Sequence, residues 1–200
     1  MERAGFRQVE PSFRWRREVD GVPVFVELLG ESENADPGRS FRPRGENTGS
    51  KLALLNIPGA TLAARDFVVV EVERERLDGG GFSKVDVRVA NVLPYTVLKV
   101  NAFQDRHENK DAYDLVFTLL FHPDGPAAAG KVAARSQIAH DPQVGAGLQL
   151  LHERFASPEL DAPAAYATFV ADPGDADELA RRRQESVATV RAFLRSFRDG

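Results

Sequence analysis

The chain has 200 residues, 42% apolar and 28% charged, which is enough for a hydrophobic core in one domain or two. It contains no cysteine, which excludes disulfides, thiolate metal sites, iron–sulfur clusters and cysteine nucleophiles. Lys plus Arg number 26 against 30 Asp plus Glu, and the net charge of −4 argues against a generally cationic nucleic-acid binder.

Strand signals come first. Phe13, Trp15 and Arg17 alternate with Arg14, Arg16 and Glu18, and Asp20-Gly21 supplies a type I′ turn pair before a second strand at 22–29. Residues 12–29 are therefore predicted to form a β-hairpin, with Pro23 at an edge or strand start. Residues 30–50 are polar and read as a long surface loop of the kind that is usually a lid or disordered, with disorder favoured. A short helical turn is expected at 61–66. A second hairpin is expected from the alternating strands 67–76 and 83–90, with Asp78, Gly79, Gly80 and Gly81 as its turn. That glycine run lacks the strand–loop–helix setting of a phosphate-binding loop.

From Pro94 the pattern is helical. Helices are predicted at 94–106, at 110–121 with Asn109 as N-cap, and at 126–138, 141–155 and 175–197. The fold class is thus α+β, with a β-rich part over 1–91 and a helical part over 92–200. No apolar run, including 116–121, approaches the ~20 residues that a spanning helix needs. The polar start Met1, Glu2, Arg3, Ala4, Gly5 has no apolar h-region, so a cytoplasmic location away from membranes is expected. The four histidines His107, His122, His140 and His152 are scattered singly and are read as structural or solvent-facing. Asp175 and Asp177 sit where a helix start favours acids.

One segment, 98–115, concentrates charge of both signs. Lys99 and Arg106 are seven apart and share a helix face, with the small Ala102 between them. Lys110, Asp111 and Asp114 then occupy the first turn of the next helix. An αα-hairpin here gathers cations suited to a polyphosphate, and carboxylates that orient them or help hold a metal. The same residues also fit an ion-paired helix corner. In that case Asp111 answers the helix dipole, Asp114 pairs with Lys110, and Lys99 is solvated.

Leu98, Lys99, Ala102, Arg106, Lys110, Asp111, Asp114 and Leu115 resemble the pattern of the AbiEii/AbiGii-toxin-like nucleotidyltransferases, which belong to the DNA polymerase β-like superfamily. The resemblance covers roughly 1–122 and implies a nucleotidyltransferase-like mixed β-sheet followed by helices. It implies an activity that moves NMP from an NTP to an RNA (such as tRNA) or protein acceptor with Mg²⁺, in a toxin–antitoxin or abortive-infection setting with an antitoxin partner. By the resemblance, Glu27 on strand 22–29 matches a metal carboxylate. Lys99, Asp111 and Asp114 take catalytic roles, and Lys99, Arg106 and Lys110 bind the substrate. The family's Gly-Gly or Gly-Ser turn and Asp-x-Asp strand are not found before Gly5-Phe6. Either the start lies inside a longer reading frame or the chain is truncated; as given, the sheet is expected to be incomplete, the chain inactive, and strand 22–29 to carry an unprotected apolar face that favours a homodimer. The alternatives are a non-catalytic nucleotide- or partner-binding module and, more remotely, a one-metal hydrolase using Glu27.

Overall fold

The computed structural model describes residues 1–43, 52–76 and 79–200 and is α+β. It divides into two compact units, Met1–Thr61 and Leu62–Gly200.

In the first unit, β1 (Arg7–Val9), β2 (Arg14–Val19) and β3 (Val22–Glu27) form an antiparallel sheet in that order. Asp20 and Gly21 have φ of 50° and 78°, the two left-handed residues that the predicted hairpin turn requires. Trp15 is its buried centre, while Val22, Val24 and Phe25 of β3 are exposed. The expected loop at 30–50 is partly structured. Here β4 (Leu29–Gly30) pairs in parallel, and β5 (Ser40–Phe41) antiparallel, with β6 (Leu54–Asn56). The cause is the buried Asn56, whose side chain accepts from Ser32 N–H at 2.8 Å and donates to Ser32 O at 3.0 Å and Ala35 O at 2.5 Å. Residues 44–50 of that predicted loop lie outside the described residues. So does Asp78 of the second predicted turn.

In place of one incomplete mixed sheet the described residues form three small ones, and the third belongs to the helical unit. β7 (Phe67–Glu75) and β8 (Phe82–Ala90) are an antiparallel ribbon. The ribbon is tied at its base to the helices, which moves the boundary from the expected 91/92 to 61/62. Asp66, after α1 (Ala60–Arg65), accepts from Ser136 Oγ at 2.6 Å and from the Asn91 side-chain amide. Asn91 is the N-cap residue of α2 (Val92–Arg106).

The helical core is built from apolar stripes. α2 buries Leu93, Val97, Val100 and Phe103, and α3 (Asn109–Leu120) buries Ala112, Leu115, Val116 and Leu119 at helical spacing. α4 (Gly125–Ala134), α5 (Pro142–Arg154), α6 (Asp161–Val170) and α7 (Ala176–Arg198) close around them. Gly147 lets α5 approach α2, because a Cβ there would lie 2.9 Å from a Val97 methyl. α6 has no counterpart among the predicted elements: its small residues Ala162, Ala164, Ala165 and Ala167 give a weak periodic signal. Asp175 caps α7 through Glu178 N–H at 2.9 Å, the structural role expected of it.

Candidate functional site

The connection between α2 and α3 is two residues long. His107 ends α2 in the left-handed region (φ 52°), and Glu108, in an extended conformation, is the residue before α3. Glu108 therefore takes the N-cap place expected of Asn109. So tight a corner brings the last turns of α2 against the first turn of α3, where Asp111 sits. With only 3% of its side chain exposed, Asp111 is fixed between two helices of the hairpin.

All five charged residues of the 98–115 pattern meet there. Lys99 Nζ donates to Asp114 Oδ2 at 2.6 Å and to Asp111 Oδ1 at 3.2 Å. Arg106 donates to Asp111 Oδ2 at 2.6 Å, and Lys110 Nζ donates to Asp114 Oδ2 at 2.6 Å. Lys99 is thus not solvated as in the plain ion-paired corner, but shared between both carboxylates. The network is graded in exposure: Lys99 is 21% exposed, against 59% for Arg106 and 65% for Lys110. Tyr95 completes it, with Lys99 Nζ 5.8 Å from its ring centroid. Tyr95 lies four residues before Lys99, one helical turn, and that spacing was the signal available for it in the sequence.

Burial pushes the Asp114 carboxyl up, but hydrogen bonds from Lys110 and Lys99 more than reverse this and hold its pKa below the ordinary 3.8. Burial likewise disfavours the charged Lys99, and its contacts with Asp114, Tyr95 and Asp111 outweigh that, raising its pKa above 10.5. A depressed carboxylate contributes stability above its unfolded pKa and loses it as pH falls through the folded one. A raised lysine contributes stability that is lost only as pH rises through its folded pKa. The network's contribution is therefore level between about pH 5 and pH 10 and lost on the acid side below 3.8. Urea midpoints of the wild-type chain and Asp114→Asn should differ by a constant amount at neutral pH and converge in acid. A difference that persists undiminished at the acid end would contradict this origin.

Glu27 belongs to the other unit. The β2–β3 register sets it opposite Arg14, which donates to its carboxylate at 2.7 Å, and its side chain is 42% exposed. Among the described residues no group of three or more His, Asp or Glu side chains is placed to hold a metal ion. Glu27 is occupied by Arg14, and Asp111 and Asp114 are occupied by three cations. Each carboxylate that the resemblance offers to a metal is thus already ion-paired within its own unit.

Comparison with known proteins finds no match among family models, curated proteins or solved structures. No helix among the described residues is long and apolar enough to cross a membrane.

Proposed function

We propose that the chain is a nucleotidyltransferase-like protein of the toxin–antitoxin and abortive-infection type, cytoplasmic, that binds an NTP at the α2–α3 corner without turning it over. The observation that carries this reading is the convergence of five pattern residues, up to fifteen apart in sequence, into one network. Lys99 and Asp111 are its buried foundation. Arg106 and Lys110 each hold a single carboxylate contact and are mostly exposed. They can turn onto a phosphate with little desolvation cost, as guanidinium and ammonium donors on the exposed side of the network. Transfer of NMP to an RNA or protein acceptor needs carboxylates free to bind metal, and Glu27, Asp111 and Asp114 are each ion-paired, which supports binding without transfer.

A fluorescent ATP analogue titrated into the chain with Mg²⁺ should bind. Arg106→Ala and Lys110→Ala should each weaken binding about tenfold or more, the lower end of the scale for one charge-assisted hydrogen bond. Labelled NTP should leave no label on RNA or protein. Absence of binding, or affinity unchanged in both variants, would overturn the reading, and robust label transfer would overturn the inactivity.

The second reading, a module for a protein partner such as an antitoxin, is favoured by an aromatic ladder on α3. Tyr113 and Phe117 on the helix and Phe121 at its C-cap have ring centroids 5.4 and 4.6 Å apart, and Phe117 and Phe121 are exposed. It predicts a blank nucleotide titration for the wild-type chain.

A further inference from the structure

The β7–β8 ribbon is two strands of nine residues, with no third strand beside them among the described residues. A two-stranded ribbon is marginal in water, and three or more strands with an apolar face are needed for independent stability. The register Val68↔Val89, Val70↔Val87, Val72↔Val85 places six valines on one face. The opposite face carries Glu71, Glu73, Lys84, Asp86 and Arg88. On that face Lys84 bridges Glu71 at 3.1 Å and Glu73 at 3.2 Å. Among the described residues Asp86 and Arg88 have no ion-pair partner, and the Arg88 guanidinium lies 4.7 Å over the Phe67 ring.

The hydrogen-bond phase shows which backbone groups are free. Asn91 N–H bonds Asp66 O at 3.2 Å at the base, and Arg76 N–H bonds Gly81 O at 2.8 Å at the tip. Because bonded and non-bonded pairs alternate, Ser83, Val85, Val87 and Val89 face β7. Lys84, Asp86 and Arg88 therefore turn their N–H and C=O groups to the open edge of β8.

We propose that this edge pairs with the same edge of a second copy of the chain, antiparallel, about a two-fold axis at Val87. That register pairs the two charged groups of the edge that have no ion-pair partner among the described residues, Asp86 and Arg88. It sets Asp86 opposite Arg88 of the partner subunit and Arg88 opposite Asp86 of the partner subunit, both at bonded positions. It also sets Val85 against Val89 of the partner subunit, and Val87 against its own copy. An axis at Asp86 opposes like charges at 86 and sets Lys84 against Arg88 of the partner subunit, and an axis at Arg88 opposes two arginines. An axis at Val85 pairs Asp86 with Lys84 of the partner subunit, but Lys84 is already bridged to Glu71 and Glu73, and it leaves Arg88 without a carboxylate and sets Val87 against Ser83 of the partner subunit. Like charges directly opposite are destabilising. The β7 edge offers no opposite-charge pairing, because its outward row carries Glu71, Glu73 and Glu75 and no cation. Pairing through β8 makes a four-stranded sheet with one continuous valine face, and the isologous contact closes as a dimer.

Sedimentation of the full chain across the micromolar range should give twice the 22.0 kDa chain mass. Asp86→Arg places arginines opposite arginines, Arg88→Asp places aspartates opposite aspartates, and each variant alone should sediment as a monomer. Mixed in equal amounts, the two variants restore both opposite-charge pairs and should return to the dimer mass, which also shows that both are folded. A monomeric wild-type chain, variants that dimerise alone, or a mixture that stays monomeric would each overturn the proposal.

Discussion

Asp111→Ala should lower the stability of the helical unit by about 3 kcal/mol, because a buried carboxylate holding two cations is removed. Asp111 accepts from Lys99 at 3.2 Å and from Arg106 at 2.6 Å across the hairpin corner. Arg106 can return to water, but Lys99 is mostly buried and keeps only Asp114 and the Tyr95 ring. For a chain of this size the melting temperature should fall by about 6–12 °C. Lys110→Ala is the matched control. Its pair with Asp114 is a solvent-exposed i,i+4 contact, so it should change stability by less than about 0.5 kcal/mol. Melting curves check both, and equal small shifts would mean that the corner does not depend on its buried carboxylate.

Gly130→Ala should cost about 2–3 kcal/mol for a different reason. A Cβ at Gly130 would lie 2.3 Å from Phe193 O and 3.0 Å from Phe197 N, both backbone atoms of α7. Backbone cannot turn aside as a side chain can, so α4 must lift away from α7 and loosen the packing around Phe193, Ala129 and Ala133. The helix propensity of Ala over Gly, about 1 kcal/mol, works in the opposite direction and loses. Gly145→Ala in α5 isolates that propensity, because no atom lies within 4 Å of its added Cβ. It should stabilise by up to about 1 kcal/mol. Chemical denaturation of the two variants should therefore give shifts of opposite sign.

The parts of this fold that were legible in the sequence are those specified locally. Asp20-Gly21 fixed the first hairpin, and the same two-residue turn sets Arg14 opposite Glu27, so the partner of that carboxylate could be counted from the turn. The alternation of 67–76 and 83–90 gave the ribbon, and the 3.6-residue periods gave five of the main helices. Long-range polar contacts were not legible. Asn56 orders the segment around Ser32 and Ala35, and Asp66 joins Asn91 to Ser136 seventy residues away. Neither contact leaves a periodic trace. At the candidate site the helical spacing of Lys99 and Arg106 and the short turn after them foretold the cluster. The spacing did not foretell that Lys99 would be shared by both carboxylates, because that depends on how closely two helices pack.

In the proposed function the exposed cations of the α2–α3 corner meet the phosphates of a nucleotide. The most direct test compares MgATP with AMP by titration, on the wild-type chain and on the Arg106→Ala/Lys110→Ala double variant. The wild-type chain should bind the triphosphate at least about tenfold more tightly than the monophosphate, and the double variant should lose that preference. Equal affinity for both nucleotides in the wild-type chain, or a preference that survives in the double variant, would contradict the claim.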